Sequence, residues 1–207
     1  NAAAGDRAND AVRVDGRELR ARVLGEGGNL GCTQRGRVEY ALAGGRLNTD
    51  FIDNSAGVNT SDVEVNLKIL TNGEERRGAL RRRERDRLLA SITDDVAQLV
   101  LRNNYLQGQA LSTLEAQSAR RLPELQHLMR VLERGGLLDR KVEYLPDDEA
   151  LAERHQRGLG LTRPELAVLL SYYTSYRIIH PFVEMNRTVQ CFSKGDFSQR
   201  VSVSGKD

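Results

Sequence analysis

The sequence predicts an α/β fold that is followed, from about residue 72, by an all-helical part. Residues 1–70 are rich in Gly and Asn and contain short apolar runs, whereas residues 80–178 repeat apolar side chains at helical spacing. In the first part, a strand pattern, a glycine-rich turn, a helix pattern and a second strand pattern follow one another. This order is half of a βαβ unit, which favours an α/β class.

The elements of the first part follow from local pattern. Residues 19–24 alternate and predict a strand that ends at Gly25, and residues 26–31 read as a glycine-rich turn. Thr33 is then suited to cap a helix through residue 42, because its hydroxyl can accept a backbone N–H. Residues 47–52 predict a second strand, and residues 53–57 predict a second turn of small residues.

The second part is predicted to be helical throughout. Residues 61–70 alternate like a strand, but Ser61 and Glu64 have capping-box spacing, so we predict a helix that begins at Ser61. A further helix is predicted over residues 84–104, and another from a capping box at Ser112 to the glycine pair at 135–136. Two more are predicted to begin at residues 146–149 and at a capping box at Thr162.

Charge and hydropathy exclude several classes of function. The 31 basic and 29 acidic residues leave a net charge of +2, which argues against nucleic-acid binding or attraction to an anionic membrane. The longest apolar run, residues 166–170, is far shorter than the ~20 residues that span a bilayer. No signal peptide or initiator Met is present, so we expect the chain to begin within a longer protein.

The cysteines and histidines carry no metal or disulfide signal. Cys32 and Cys191 are far apart in sequence, which fits neither a disulfide framework nor a zinc site and favours a reducing cytoplasm. Cys32 precedes a predicted helix, which could lower its pKa, but a small buried residue is the preferred interpretation. We assign no metal ligands.

The two glycine-containing turns are the candidate ligand sites. Gly27 and Gly28 would let a ligand approach the backbone at the carboxyl end of a strand, where doubly wound folds bind ligands. Asn54 offers a donor and an acceptor in the second turn, and Ser61 opens the next predicted helix. Residue types alone leave the alternative open that these are a tight turn, an Asx turn and an N-cap.

Longer strings resemble a known family. Residues 23–31, 33–37, 48–58 and 61–70, continued by 145–149 and 161–172, resemble the large bacterial NAD-specific glutamate dehydrogenases. The similarity covers roughly residues 5–172. It implies the C-terminal half of a Rossmann-type nucleotide-binding domain over residues 1–72 and a helical domain over 73–178, while residues 179–207 form a tail that does not resemble the family.

The resemblance also implies an activity and a set of site residues. The reaction is oxidative deamination of L-glutamate to 2-oxoglutarate and ammonia, with hydride transfer to NAD. Gly27, Gly28 and Asn29 would lie on the cofactor turn, with Asn29 by the nicotinamide ribose. Asn54 would lie beside the nicotinamide and the substrate, and Ser61 would help to hold a substrate carboxylate.

The family implies a cytoplasmic homo-oligomer with no nucleic-acid or membrane partner. The alternative is a helical protein-interaction module with a ligand-free glycine-rich base, which would self-associate through residues 84–178 and would not be stabilised by NAD. Basic-patch nucleic-acid binding is the weakest hypothesis, because acidic residues interrupt the run 81–87 and no aromatic residues interleave it.

We predict that the isolated 207-residue chain does not reduce NAD in the presence of glutamate. The sequence contains neither a GxGxxG phosphate loop with its downstream acid nor the substrate-domain Lys and Asp that the family uses for proton transfer. NADH absorbance measured on the purified chain tests this. Turnover above that of a mock purification from the same host would contradict the prediction.

Overall fold

A computed structural model describes residues 13–175 of the chain. Within that range it contains a short 3-10 helix, Gly16–Glu18, two strands and eight α-helices. The strands are β1 (Val23–Leu24) and β2 (Arg46–Leu47). The helices are α1 (Gln34–Leu42), α2 (Asp50–Asp53), α3 (Ser55–Arg76), α4 (Arg82–Ser91), α5 (Thr93–Ser118), α6 (Leu122–Arg134), α7 (Asp148–Gln156) and α8 (Arg163–Thr174).

The described fold is mostly helical, so the predicted α/β class was wrong. β1 and β2 pair in parallel, with Val23 opposite Arg46 and Leu24 opposite Leu47, and α1 connects them. This two-stranded ladder is the whole sheet of residues 13–175, and no Rossmann-like sheet is seen there. The domain bounds at residues 72 and 178 stay predictions, and the tail 179–207 lies outside the described residues.

Both predicted strands are shorter in the structure than the sequence predicts, and the second ends where polar side chains start a helix. The first predicted strand pairs only at Val23 and Leu24. The second ends at Leu47, since Thr49 is the N-cap of α2 and the Asp50 carboxylate accepts the N–H of Phe51 at 3.0 Å. A carboxylate in the first turn stabilises a helix start, so a helix replaces the expected strand.

The predicted second turn and the predicted start of the next helix were also wrong. Asn54 has φ −92° and ψ 7°, so the chain passes almost directly from α2 into α3. Helix α3 therefore begins at Ser55, and Ser61 lies inside it. The helical prediction for residues 61–70 is confirmed.

Of the predicted helix ends, the start at Ser112 was wrong, whereas the start at Thr162 and the end near residues 135–136 are confirmed. The Ser112 box does not start a helix, because the Ser112 hydroxyl bonds back to the carbonyl of Gly108 at 2.9 Å and lies inside α5. The capping box at Thr162 is confirmed, as is the end of α6 near Gly136, which has a φ of +66°.

The core lies in the helical part and consists mainly of leucine. Leucines from α5, α6, α7 and α8 bury their side chains around Met129, and the fully buried ones include Leu111, Leu122, Leu132, Leu151, Leu166 and Leu169. Glu165 is also buried there, and Arg154 neutralises it through two hydrogen bonds of 2.7 and 2.9 Å. Helix α8 packs against both α5 and α1, so it joins the helical core to the helix that follows the glycine turn.

No helix in the described part of the chain is both long enough and apolar enough to cross a membrane.

Candidate functional site

The glycine turn lies where the sequence predicts it, directly after β1 and before α1. Thr33 caps α1 by accepting the N–H of Gly36 at 3.1 Å, which confirms its predicted role. Gly27 and Gly28 are exposed, and a Cβ atom at either position would meet no other atom within 4 Å. The outer surface of the turn is therefore open to a ligand.

A buried ion network holds this turn from the inside. The Arg37 guanidinium of α1 donates to both Glu26 carboxylate oxygens, at 2.7 and 2.8 Å, and pairs with Asp50 at 2.9 Å. Glu26 and Arg37 are each 5% exposed. The Glu26 carboxylate also accepts the N–H of Cys32 at 3.1 Å, and Asp50 accepts that of Leu30 at 2.8 Å. The network thus fixes both ends of the turn.

The network stabilises the charged forms of Arg37 and Asp50. Burial alone would lower the pKa of Arg37, but the hydrogen bonds and charge of Glu26, together with Asp50, raise it above its ordinary value. Burial would likewise raise the pKa of Asp50, but the Leu30 N–H and Arg37 hold it below its ordinary value. Arg37 and Asp50 are therefore both held in their charged forms at neutral pH.

Cys32 has the environment of a packed thiol. Its burial, and next the charge of Glu26, raise the pKa of the Cys32 thiol. A raised pKa lowers the thiolate fraction, so the structure does not favour a nucleophilic role. Cys32 is half-buried, so it is less enclosed than the preferred interpretation of a small buried residue predicts.

The structure brings together two of the predicted site residues that are 25 positions apart. The Asn54 side chain donates its Nδ2–H to Oδ1 of Asn29, with 2.8 Å between the two atoms. Asn29 is exposed on the glycine turn, and Asn54 is half-buried at the start of α3. The two amides form a polar pair that borders the open face at Gly27 and Gly28.

Ser61 lies apart from this pair. It is exposed on α3, two helical turns beyond Asn54, which places it on the same face about 10 Å further along the axis. The position at the helix start belongs to Ser55, whose hydroxyl accepts from the Asn104 side chain at 2.9 Å. Ser61 therefore does not open the helix, as the sequence predicted, and lies away from its N-terminus.

The charged residues that hold the site were missed by the sequence reasoning. Arg37, Asp50 and Asp53 were not singled out, although a threonine followed by two aspartates three positions apart is a helix-start signal. Asp53 accepts the N–H of Glu26 at 3.0 Å and the side-chain amide of Asn48 at 2.6 Å. Nothing in the sequence alone shows that these groups converge on one turn.

A cleft lies beside the site, along β1 and β2. It has a volume of about 690 Å³, and the two strands, α1, the β2–α2 connection, α5 and the start of α8 form its walls. Asn48, Asp53 and Arg163 line it, whereas the predicted site residues do not. Among residues 13–175, no group of three His, Cys, Asp or Glu side chains is arranged to hold a metal ion.

Comparison with known proteins shows the family. The family model described as bacterial NAD-glutamate dehydrogenase, catalytic domain, matches residues 1–114, which is more than half of the chain. The chain therefore belongs to the bacterial NAD-glutamate dehydrogenase family, which confirms the resemblance.

Three curated relatives carry the name NAD-specific glutamate dehydrogenase. The protein from Pseudomonas aeruginosa is 57% identical over 168 residues, which is 81% of this chain and 10% of the relative. The Halomonas elongata protein is 54% identical over 175 residues (84% and 11%), and the Mycobacterium tuberculosis protein is 51% identical over 170 residues (81% and 10%). The chain spans about a tenth of the length of these relatives.

We predict that Arg37→Leu strongly destabilises the chain. Removing one partner leaves the Glu26 and Asp50 carboxylates buried without their cation, which typically costs about 3–5 kcal/mol. Urea unfolding followed by circular dichroism measures the loss. Arg157→Leu is the matched control, because Arg157 forms an exposed pair with Glu153 and its removal should cost less than about 1 kcal/mol. Equal losses in the two variants would contradict the prediction.

Proposed function

We propose that this chain is a segment of an NAD-specific glutamate dehydrogenase and supplies part of the surface against which the nicotinamide of NAD and the substrate lie. The parent reaction is the oxidative deamination of L-glutamate to 2-oxoglutarate and ammonia. The observation that carries the proposal is the Asn29–Asn54 contact in a chain that belongs to this family. Cytoplasmic location and homo-oligomeric assembly are further parts of the proposal, and they rest on the family resemblance.

The chemistry of the donor set fits the proposed cofactor. The nicotinamide carboxamide needs both a hydrogen-bond donor and an acceptor, and side-chain amides supply both. Gly27 and Gly28 leave the neighbouring backbone uncovered, which suits close approach of a ribose or a flat ring. When bound, NAD supplies the hydride acceptor, and the proposed task of Asn29 and Asn54 is to orient it.

Ser61 completes the proposed site on the substrate side. Its exposed hydroxyl lies on the same face of α3 as Asn54, at a spacing of two turns, and can donate to a carboxylate. An α-amino acid with a second carboxylate is long enough to extend along such a face. Ser61 would thus contribute to substrate binding, whereas Asn54 would contribute to the geometry of hydride transfer.

The proposal is tested in a chimaera in which this chain replaces the matching stretch of the Pseudomonas aeruginosa relative. We expect Ser61→Ala to lower kcat/KM for glutamate about 10- to 150-fold, since losing a hydrogen bond to a charged group costs roughly 1.5–3 kcal/mol. The KM for NAD should barely change. Asn54→Ala should lower kcat more than it raises the KM for glutamate.

Melting temperature, measured on the same variants, separates this proposal from a structural role. If Asn54 has only a structural role, Asn54→Ala removes its hydrogen bond to Asn29, lowers stability by about 1 kcal/mol and leaves the kinetics of the folded enzyme unchanged. Unchanged kcat/KM in both variants would overturn the site, and an inactive parent chimaera would count against the proposed function itself.

We further predict that Gly57→Ala lowers activity without lowering stability. A Cβ atom at Gly57 would lie 2.8 Å from Oδ1 of Asn54, so Gly57→Ala must move the Asn54 amide. Within a helix, Ala is more favourable than Gly by up to about 1 kcal/mol, so the fold should not be weakened. We expect an unchanged or higher melting temperature together with a lower kcat.

The matched control is Gly73→Ala, also in α3, where an added Cβ atom meets nothing within 4 Å. This variant should gain stability and keep full activity. If Gly57→Ala is as active as Gly73→Ala, the position of the Asn54 amide does not matter for turnover.

A further inference from the structure

We infer that Arg163 is a positioning residue that sets the glycine turn from the helical part of the molecule, through Asn48 and Asp53. The inference rests on the proposed function, because it concerns how the same site is held. It connects α8 to the glycine turn, although Arg163 lies 137 positions beyond Glu26, the first residue of that turn.

We call the chain of hydrogen bonds from Arg163 through Asn48 and Asp53 to Glu26 the relay. It begins at the Arg163 guanidinium, which α5 holds in place. Arg163 donates to Glu115 at 2.9 Å, to the Ser112 hydroxyl at 3.0 Å and to the Gly108 carbonyl at 3.1 Å. These three partners are spaced along one face of α5, and they use the two terminal nitrogens of the guanidinium. The remaining Nε–H points away from α5 and donates to Oδ1 of Asn48.

Asn48 passes this orientation to Asp53. An arginine offers only donors and an ionised carboxylate offers only acceptors, so the Asn48 amide has one favourable orientation between them. Its oxygen faces Arg163, and its Nδ2 donates to Oδ1 of Asp53 at 2.6 Å. The other Asp53 oxygen is then left for a donor on the opposite side.

That donor is the backbone N–H of Glu26, the first residue of the glycine turn, at 3.0 Å. The ion network with Arg37 holds the Glu26 side chain, whereas the relay holds the Glu26 main chain. Both constraints act on the turn that presents Asn29 to Asn54. Because Arg163, Asn48 and Asp53 all line the 690 Å³ cleft, the relay runs along its wall.

Exchanging the two middle groups tests the relay without changing its size. Asn48→Asp places a carboxylate against Asp53, and Asp53→Asn places an amide against Asn48, so each single variant breaks the chain of donors and acceptors. The double variant Asn48→Asp/Asp53→Asn restores it, because the amide and the carboxylate have only traded places. A residue with an ordinary packing role would not show this rescue.

In the active chimaera, we expect each single variant to lower kcat about 10- to 100-fold, since small misplacements of an orienting group cost that much. The double variant should recover most of the loss. Asn66→Asp is the matched control: Asn66 also donates to an aspartate, Asp62, but on the exposed face of α3, and its kcat should stay at the parent value.

A second readout does not depend on catalysis. In ¹H–¹⁵N spectra of the full 207-residue chain, the amide resonances of Gly27 and Gly28 should shift in both single variants and return in the double variant, with no shift in Asn66→Asp. This pattern alongside an inactive parent chimaera would support the relay and reject the proposed function. Single variants with unshifted glycine resonances, or a double variant without rescue, would overturn the relay.

Discussion

The structure around the candidate site depends on one buried cation. Arg37 extends from α1 between two carboxylates that come from different connections of the chain, Glu26 after β1 and Asp50 after β2. Burying these charges costs solvation energy, and short, forked hydrogen bonds offset that cost only while all three groups are present. The arrangement therefore specifies one relative position of the two connections. A two-stranded sheet of this size could not fix that position by itself.

The position of the Asn29–Asn54 pair follows from this constraint. Asp50 accepts the N–H of Leu30, so the residue directly after Asn29 is tied to the start of α2. Leu30 has a φ of +59°, a left-handed conformation that a non-glycine residue adopts only when its surroundings enforce it. The contact with Asp50 supplies such an enforcement, and it turns the Asn29 side chain toward α3.

What the sequence predicted well was local. Thr33, Thr162 and the glycine pair at 135–136 act through neighbours within a few residues, and their roles could be derived from spacing alone. The predicted strand over residues 47–52 was wrong because Thr49 and Asp50 start α2, a local signal that the sequence reasoning missed. The bonds of Asp50 to Leu30 and Arg37, which are distant in sequence, could not be derived from local pattern.

At the candidate site, too, the sequence indicated individual residues but not the contacts between residues that are distant in sequence. The family motifs indicated Asn29 and Asn54, but only the coordinates bring their amides to 2.8 Å. Ser61 was placed at a helix start because its box with Glu64 has the right spacing, and the same spacing occurs inside α3 and again inside α5 at Ser112. A serine within a helix can bond its own preceding turn, as Ser112 does, so the spacing does not specify a helix start.

Two arginines hold the segment between β2 and α3 from opposite sides, and each bonds to a different residue of it. Arg37 holds Asp50 from α1, and Arg163 holds Asn48 from α8, with Asp53 joining the second arm to the glycine turn. Asn54 follows directly, and its amide is directed outward to Asn29 rather than into either arginine network. A flexible connection could not keep that amide aimed at one partner. The charged residues on both sides therefore fix the segment from which this one neutral amide extends.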